Sequence, residues 1–340
     1  MCVAQGKRCE YADALSNVRR KVRSRMRGAS RSEVEEQVTE EVRKFCKENP
    51  ELVKAHLPAK MGFHWTPPKR KVPEGIREML GDIKAPVKGH ADQSQLYGDL
   101  AARNRRWIEG LSREEEVALR QYAMTSYESI NPYLRRRGFA EWAKKSHYLF
   151  DREGGAKRYL EEVMKPRIAS MDSAFTRAEK PAEPDRLYRF YRVPTGVTPK
   201  EFISRYFQKG SGFKDKGFVS ASADPEYVAA HIMDRDGKKN SNYIVLEILT
   251  DAGASLHSAS EYGGSVQDVE AEVLLPRNTG MRVIETGNRR FEFAKSRPDL
   301  KHRFGTFGGR GMKYEEGDSI NLPVVRLVDE SLIKSEGSHE

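Results

Sequence analysis

Three separated stretches of this 340-residue chain hold residue types that could act together chemically. In Val269-Glu270-Ala271-Glu272-Val273-Leu274-Leu275-Pro276, two glutamates stand two positions apart at the head of an apolar run. On a β-strand that spacing sends both carboxylates to one side. Paired carboxylates suit work on a glycosidic bond: one stabilises positive charge on the sugar while the other acts as a base. A second stretch, Gly217-Phe218-Val219-Ser220-Ala221-Ser222, puts the hydroxyls of Ser220 and Ser222 on one side of a strand. The third, Leu187-Tyr188-Arg189-Phe190-Tyr191-Arg192, sets arginine among apolar neighbours. Burying it is costly unless the guanidinium meets an anion such as a diphosphate or a carboxylate. Arg189 and Arg192 are an odd number of positions apart, so only one of them faces a given side. Taken singly, each stretch has a plainer reading: a solvated strand face, a serine-capped strand end and an edge-strand arginine.

These residues need strands to hold them, and strand-like patterns begin near Arg186. They cover Leu187 to Val193, Gly217 to Ser222, Tyr243 to Leu249, Glu270 to Leu275, Met281 to Ile284 and Leu322 to Val328, with a helix from Tyr227 to Met233 behind Asp224-Pro225. Residues 286 to 318, rich in Gly and Arg, read as a long surface loop. The preceding region is helical. Ser112-Arg113-Glu114-Glu115 is a capping box, and it opens a helix whose apolar face carries Leu119, Ala123, Tyr127 and Ile130. Further helical pattern runs from Lys157 through Met164 to Phe175. Helices first and strands afterwards predict an α+β fold rather than a doubly wound sheet. Residues 1–60 read as a charged helical region, densely basic from Arg19 to Arg27 and amphipathic through Val34, Val38, Val42 and Phe45. Residues 61–95, with prolines at 67, 68, 73 and 86, read as linker. The third region is then 96–335.

Together and in this order, the three stretches resemble the R-S-E signature of the cholera-toxin-like mono-ADP-ribosyltransferases. Tyr188-Arg189 resembles that family's first-strand Tyr-Arg-Gly, and Gly217 to Ser222 its Gly-Phe-x-Ser-Thr-Ser strand. Glu270 to Pro276 resembles its Glu-x-Glu-Val-Leu-Leu-Pro strand and continues the likeness through Arg277 and Thr279. Leu111 to Arg136, with Tyr127, Ile130, Asn131, Leu134 and Arg135, resembles the helices ahead of the first strand. The likeness covers residues 96 to 330. Phe190 stands where the family usually has glycine, and Ala221 replaces its middle threonine.

The resemblance implies an ADP-ribosyltransferase-like split β-sheet core behind a helical lobe, here with a helical N-terminal extension. It implies NAD as substrate, no metal, and transfer of ADP-ribose to an acceptor with release of nicotinamide. Arg189 would anchor the NAD phosphates or the nicotinamide-side ribose. Ser220 would hold Glu272, which would contact the ribose 2′-hydroxyl and stabilise its oxocarbenium-like charge. Glu270 would take the proton from the acceptor; a glutamate there goes with arginine acceptors in this family. Tyr188, Gly217, Phe218 and Ser222 complete the implied NAD-binding set, Ser222 in a lesser structural role. The loop from Ser258 to Asp268 would present the acceptor, with Tyr262 as an exposed aromatic contact.

Sixty Lys and Arg against fifty Asp and Glu leave a net charge of +10, which favours anionic partners without choosing among dinucleotide, nucleic acid and membrane surface. Three cysteines, Cys2, Cys9 and Cys46, with no CxxC pair, speak against a disulfide framework or a zinc motif, and reduced thiols fit an intracellular compartment. Met1 to Leu15 lacks an apolar signal core, so the expectation is synthesis in the cytosol and, for any delivery into a target cell, a route without a cleaved signal peptide. Two other functions remain open. One is enzymatic: ADP-ribosylation of nucleic acid, or NAD hydrolysis with water as acceptor. The other is a nucleic-acid-binding or phage-particle-associated protein that uses the basic N-terminal segment.

Overall fold

The computed structural model describes residues 2–49, 63–66, 73–90, 92–136, 139, 142–143, 155–194, 196–236, 242–255, 270–294 and 315–336. Two N-terminal helices come first, α1 (Cys2–Arg25) and α2 (Arg31–Glu48). The short elements β1 (Phe63–Thr66), α3 (Glu74–Leu80) and β2 (Val87–Lys88) follow. A helical lobe comprises α4 (Gln93–Glu109), α5 (Arg113–Gln121), a π-helical turn Tyr122–Ser126, α6 (Tyr127–Leu134), a second π-helical turn Tyr159–Met164 and α7 (Lys165–Thr176). The remainder alternates strands with three helices: β3 (Asp185–Arg192), α8 (Pro199–Tyr206), β4 (Gly212–Asp215), β5 (Val219–Ser222), α9 (Pro225–Asp236), β6 (Tyr243–Thr250), β7 (Glu272–Leu275), β8 (Gly280–Glu292), β9 (Ser319–Asp329) and α10 (Glu330–Glu336). The fold is α+β, as the order of patterns predicts. No helix among the described residues is long and apolar enough to cross a membrane.

Nine strands among the described residues form one sheet, in the order β1-β4-β8-β9-β6-β3-β5-β7, with β2 on β8. β6 lies at its heart, parallel to β9 and antiparallel to β3, and all eight of its residues are buried. Apart from Glu247 and the terminal Thr250 it is apolar throughout, as a strand covered on both faces requires. β3 and β5 are joined at a single register pair, Tyr188 opposite Ser222, whereas β5 and β7 pair over four. That thin junction is where the sheet divides, and the predicted chemistry lies beside it.

The capping box at Ser112 forms as predicted: Ser112 Oγ accepts from the Glu115 amide and a Glu115 carboxylate oxygen accepts from the Ser112 amide. Leu119 of that helix, with Tyr122 and Ile130 beyond it, shares a core with Ile168 and Met171 of α7, with Phe218 just ahead of β5 and with Leu274 of β7. The N-terminal helices pack on another part of the sheet. Leu15, Val22, Val38, Val42 and Cys46 share one hydrophobic core with Leu187, Phe202, Ala271, Val273 and Val325.

Three expectations are corrected. Residues 61–95 are not simply linker: β1 pairs antiparallel with β4, β2 pairs with β8, and Ile76, Leu80 and Val87 are buried. Prolines interrupt the pattern, but a one-turn apolar spacing such as Ile76 to Leu80 suffices once a sheet is there to cover. Residues 286–292 are strand, since β8 stays in register with β9 as far as Glu292 opposite Ser319. Gly287, Arg289 and Arg290 disguise that strand, because Arg289 turns inward to a buried carboxylate. Finally, β7 starts at Glu272 and not at Glu270, because Ala271 takes φ +43°.

The inward-turning Arg289 belongs to a closed polar cluster. Its Nη1 donates to both oxygens of Glu247 at 2.9 and 2.7 Å, and Arg326 Nε donates to Glu247 at 3.1 Å and Nη1 to Glu285 at 2.7 Å. The same two guanidiniums bind the carbonyls of Gly81, Asp82 and Ala85, which fastens the turn after α3 to the sheet. Glu247 and Arg326 have no solvent exposure.

Candidate active site

A cleft of about 450 Å³ opens between the helical lobe and the divided end of the sheet. Tyr122, Tyr127 and Asn131 wall it on the lobe side, Tyr188, Arg189 and Phe190 on β3, Ser220 and Ser222 on β5, and Tyr227 and His231 on α9, with Glu270 and Glu272 between. The volume falls in the range of small-molecule sites, ~300–1,000 Å³.

A chain of hydrogen bonds crosses the junction of β3 and β5. Arg189 Nη1 donates to the Ser220 carbonyl, and Ser220 Oγ donates to a carboxylate oxygen of Glu272. Ser220 lies diagonally across the ladder from Glu272, whose register partner is Ser222, a distance side chains can span. Behind Glu272, Ser255 Oγ donates to its carbonyl at 2.6 Å, and the Ser255 amide is held at 3.1 Å by Asn104 Oδ1. The catalytic-looking carboxylate thus sits on a fixed main chain.

Glu270 is held differently. Tyr227 Oη donates to its Oε1 at 2.9 Å, and the Ser222 hydroxyl lies 2.6 Å from its carbonyl and 3.0 Å from that of Asp224. Ala271, between the two glutamates, is wholly buried, and its carbonyl accepts from the Ala223 amide at 2.9 Å. A left-handed alanine costs on the order of 1–3 kcal/mol and persists only when its surroundings over-determine it. Here the kink brings Glu270, which precedes the strand, into the same cleft as Glu272.

The cleft is electropositive at Arg189. Burial, and then the nearby charge of Arg135, pull the Arg189 pKa down, although the group stays cationic. Burial also works against the charge of Arg135, but its bidentate pair with Asp215 at 2.8 and 2.7 Å outweighs this and raises its pKa. Arg189 is the guanidinium at the cleft wall, and its planar fork suits an anion such as a diphosphate. Burial first and Glu247 second push the Tyr188 hydroxyl up to about 12, so it stays protonated.

Of the residues singled out in the sequence, Tyr188, Arg189, Ser220, Ser222, Glu270 and Glu272 line this cleft. Arg192 is exposed at the far end of β3. Gly217 and Phe218 do not line it, which corrects their expected part in NAD binding. Phe218 is fully buried in the lobe core, its ring 5.5 Å from that of Tyr122. Gly217 serves close approach: a Cβ there would stand 2.4 Å from Asn131 Oδ1. Tyr262 and the loop from Ser258 to Asp268 lie outside the described residues.

The lining residues without a site role in the sequence reading include Tyr122, Tyr127, Asn131, Tyr227 and His231. Asn131 Nδ2 donates to Tyr122 Oη at 2.8 Å, and Tyr122 Oη donates to the Phe218 carbonyl at 3.3 Å. Asn131 Oδ1 has no hydrogen-bond partner among the described residues and is buried against Gly217. The π-helical turn at Tyr122 is the local irregularity that often marks a functional site, but nothing in its sequence announces it. Phe190, in place of the family's glycine, stacks on His231 with ring centres 4.1 Å apart, and both line the cleft. Among the described residues no group of three or more His, Cys, Asp or Glu could hold a metal ion.

Comparison with solved structures finds ADP-ribosylating enzymes at low identity. The enzymatic component of the Clostridium botulinum C2 toxin aligns over 68% of this chain and 46% of its own, at 17% identity and a TM-score of 0.43. A separate ADP-ribosyltransferase from Clostridium botulinum aligns over 72% of this chain and 99% of its own, at 13% identity and a TM-score of 0.40. Exoenzyme S from Pseudomonas aeruginosa, solved with carba-NAD and human 14-3-3 protein beta, aligns over 71% and 90%, at 16% identity and a TM-score of 0.37. The chain spans less than half the length of the C2 toxin component. No curated protein sequence matches it. Residues 100–300, more than half of the chain, match the sequence profile of the ADP-ribosyltransferase exoenzymes, and the protein belongs to that family.

Proposed function

We propose that the protein is a mono-ADP-ribosyltransferase that moves ADP-ribose from NAD to an arginine side chain, with residues 96–335 as the transferase unit. The observation that carries this reading is the hydrogen-bonded set Arg189, Ser220 and Glu272 in one cleft, with Glu270 beside it. Arg189 binds the diphosphate. The bond from ribose C1′ to the nicotinamide nitrogen breaks, and its electron pair leaves with nicotinamide. Glu272, aimed by Ser220, stabilises the positive charge this leaves on the ribose. A guanidino nitrogen of the acceptor then bonds to C1′, and its proton passes to Glu270. Tyr262 and its loop serve the acceptor in this reading.

A second acceptor class has one observation in its favour: Arg19, Arg20, Arg23 and Arg27 are all exposed on α1 and the turn after it, a basic surface suited to nucleic acid. Incubation with NAD labelled in its ADP-ribose, together with poly-arginine, RNA or DNA, separates the two. The expected result is nicotinamide release with label on poly-arginine. Label confined to nucleic acid overturns the arginine assignment, and no release of nicotinamide overturns the transferase itself.

A further inference from the structure

We infer that Tyr227 is the positioning residue for Glu270, and that it sets how much ADP-ribose goes to a guanidine acceptor and how much to water. This rests on the transferase reading above. Each glutamate of the cleft receives its own hydroxyl donor: Ser220 serves Glu272, and Tyr227 serves Glu270. The two carboxylates differ in what else holds them. Glu272 starts a strand and is fixed by its ladder. Glu270 sits in the turn ahead of that strand, where no ladder orients its side chain.

Tyr227 is well placed to supply that orientation, because its helix is tied to the same corner. Asp224 Oδ1 accepts from the Glu226 amide at 2.9 Å, and Ser222 Oγ accepts from the Asp224 amide at 2.9 Å. The same Ser222 hydroxyl reaches the Glu270 carbonyl at 2.6 Å. The Tyr227 ring packs in a core with Val228, Ala230 and Phe291. Main chain and side chain of Glu270 are thereby referred to one rigid point, the junction of β5 and α9. Ring packing alone asks for no hydroxyl; a hydroxyl ending on a cleft carboxylate does.

The test uses the full chain, NAD and agmatine, with ADP-ribosyl-agmatine and free ADP-ribose measured in the same reaction. Tyr227→Phe keeps the ring and removes the donor. The expected ratio of transfer to hydrolysis falls about tenfold, as for a lost hydrogen bond to a charged group. In a Glu270→Gln background the same change adds no further loss, because Tyr227 acts through Glu270. An unchanged ratio in Y227F, or a full extra loss on top of E270Q, overturns the inference while the transferase reading stands. Wild-type protein that cleaves no NAD, or cleaves it without modifying agmatine, overturns the reading beneath it and this inference together.

Discussion

At Glu247 and at Glu272 one sheet brings arginine and glutamate together under different conditions. Around the buried Glu247 the charges close on themselves: Arg289, Arg326 and Arg186 pair with it, Arg326 also pairs with Glu285, and Arg289 and Arg326 bind three carbonyls. Beside Glu272, Arg189 donates to a neutral carbonyl, has no ion pair among the described residues and lies at the wall of an open cleft. The first arrangement satisfies its own electrostatics and fastens a turn. The second keeps an electrostatic demand that an incoming anion meets. Residue type therefore does not separate a site from a scaffold; what separates them is whether the charges are already answered.

The sharpest way to break this contrast is a matched pair of substitutions. Glu272→Gln is expected to slow nicotinamide release by about 10²–10³-fold without moving the melting temperature. Glu247→Gln is expected to cost about 3–5 kcal/mol of stability in chemical denaturation, because it leaves the buried Arg289 without its carboxylate, with activity per folded molecule retained. The reverse pattern would erase the distinction. A smaller effect is expected at Gly217, where alanine would press on Asn131 Oδ1: a stability loss of about 1–3 kcal/mol by denaturation, with no change in register at Glu272. If G217A proves as stable as wild type, the close packing of lobe on sheet has been overrated. The smallest is Arg189→Lys. It keeps the charge but loses the planar fork, and NAD binding measured by calorimetry should weaken about tenfold. Equal affinity would mean that Arg189 meets its anion as a point charge.

Much of this could be seen in the sequence where the cause is local. The Ser112 capping box and the largely apolar run of β6 each follow from neighbouring residues, and the structure keeps them. The order of helices and strands conveyed the α+β class for the same reason. What stayed hidden depends on distant contacts. Tyr227 meets Glu270 across 43 positions, and Arg289 meets Glu247 across 42. Ala271 carries no mark of its left-handed backbone, since alanine seldom adopts it and the surrounding fold imposes it. β1 and β2 are too short to announce themselves; they exist because β4 and β8 offer unpaired edges.

The shared interior of α1 and α2 with Ala271 and Val273 bears on how a minimal fragment should be cut. Those two residues flank Glu272, so trimming the chain at residue 60 removes part of the core to which the neighbours of Glu272 belong. Loss of activity in such a fragment would then report an opened interior, and no recognition role for the amino-terminal arginines need be invoked. Replacing those exposed arginines while leaving Val22, Val38 and Val42 in place is the operation that isolates their charge.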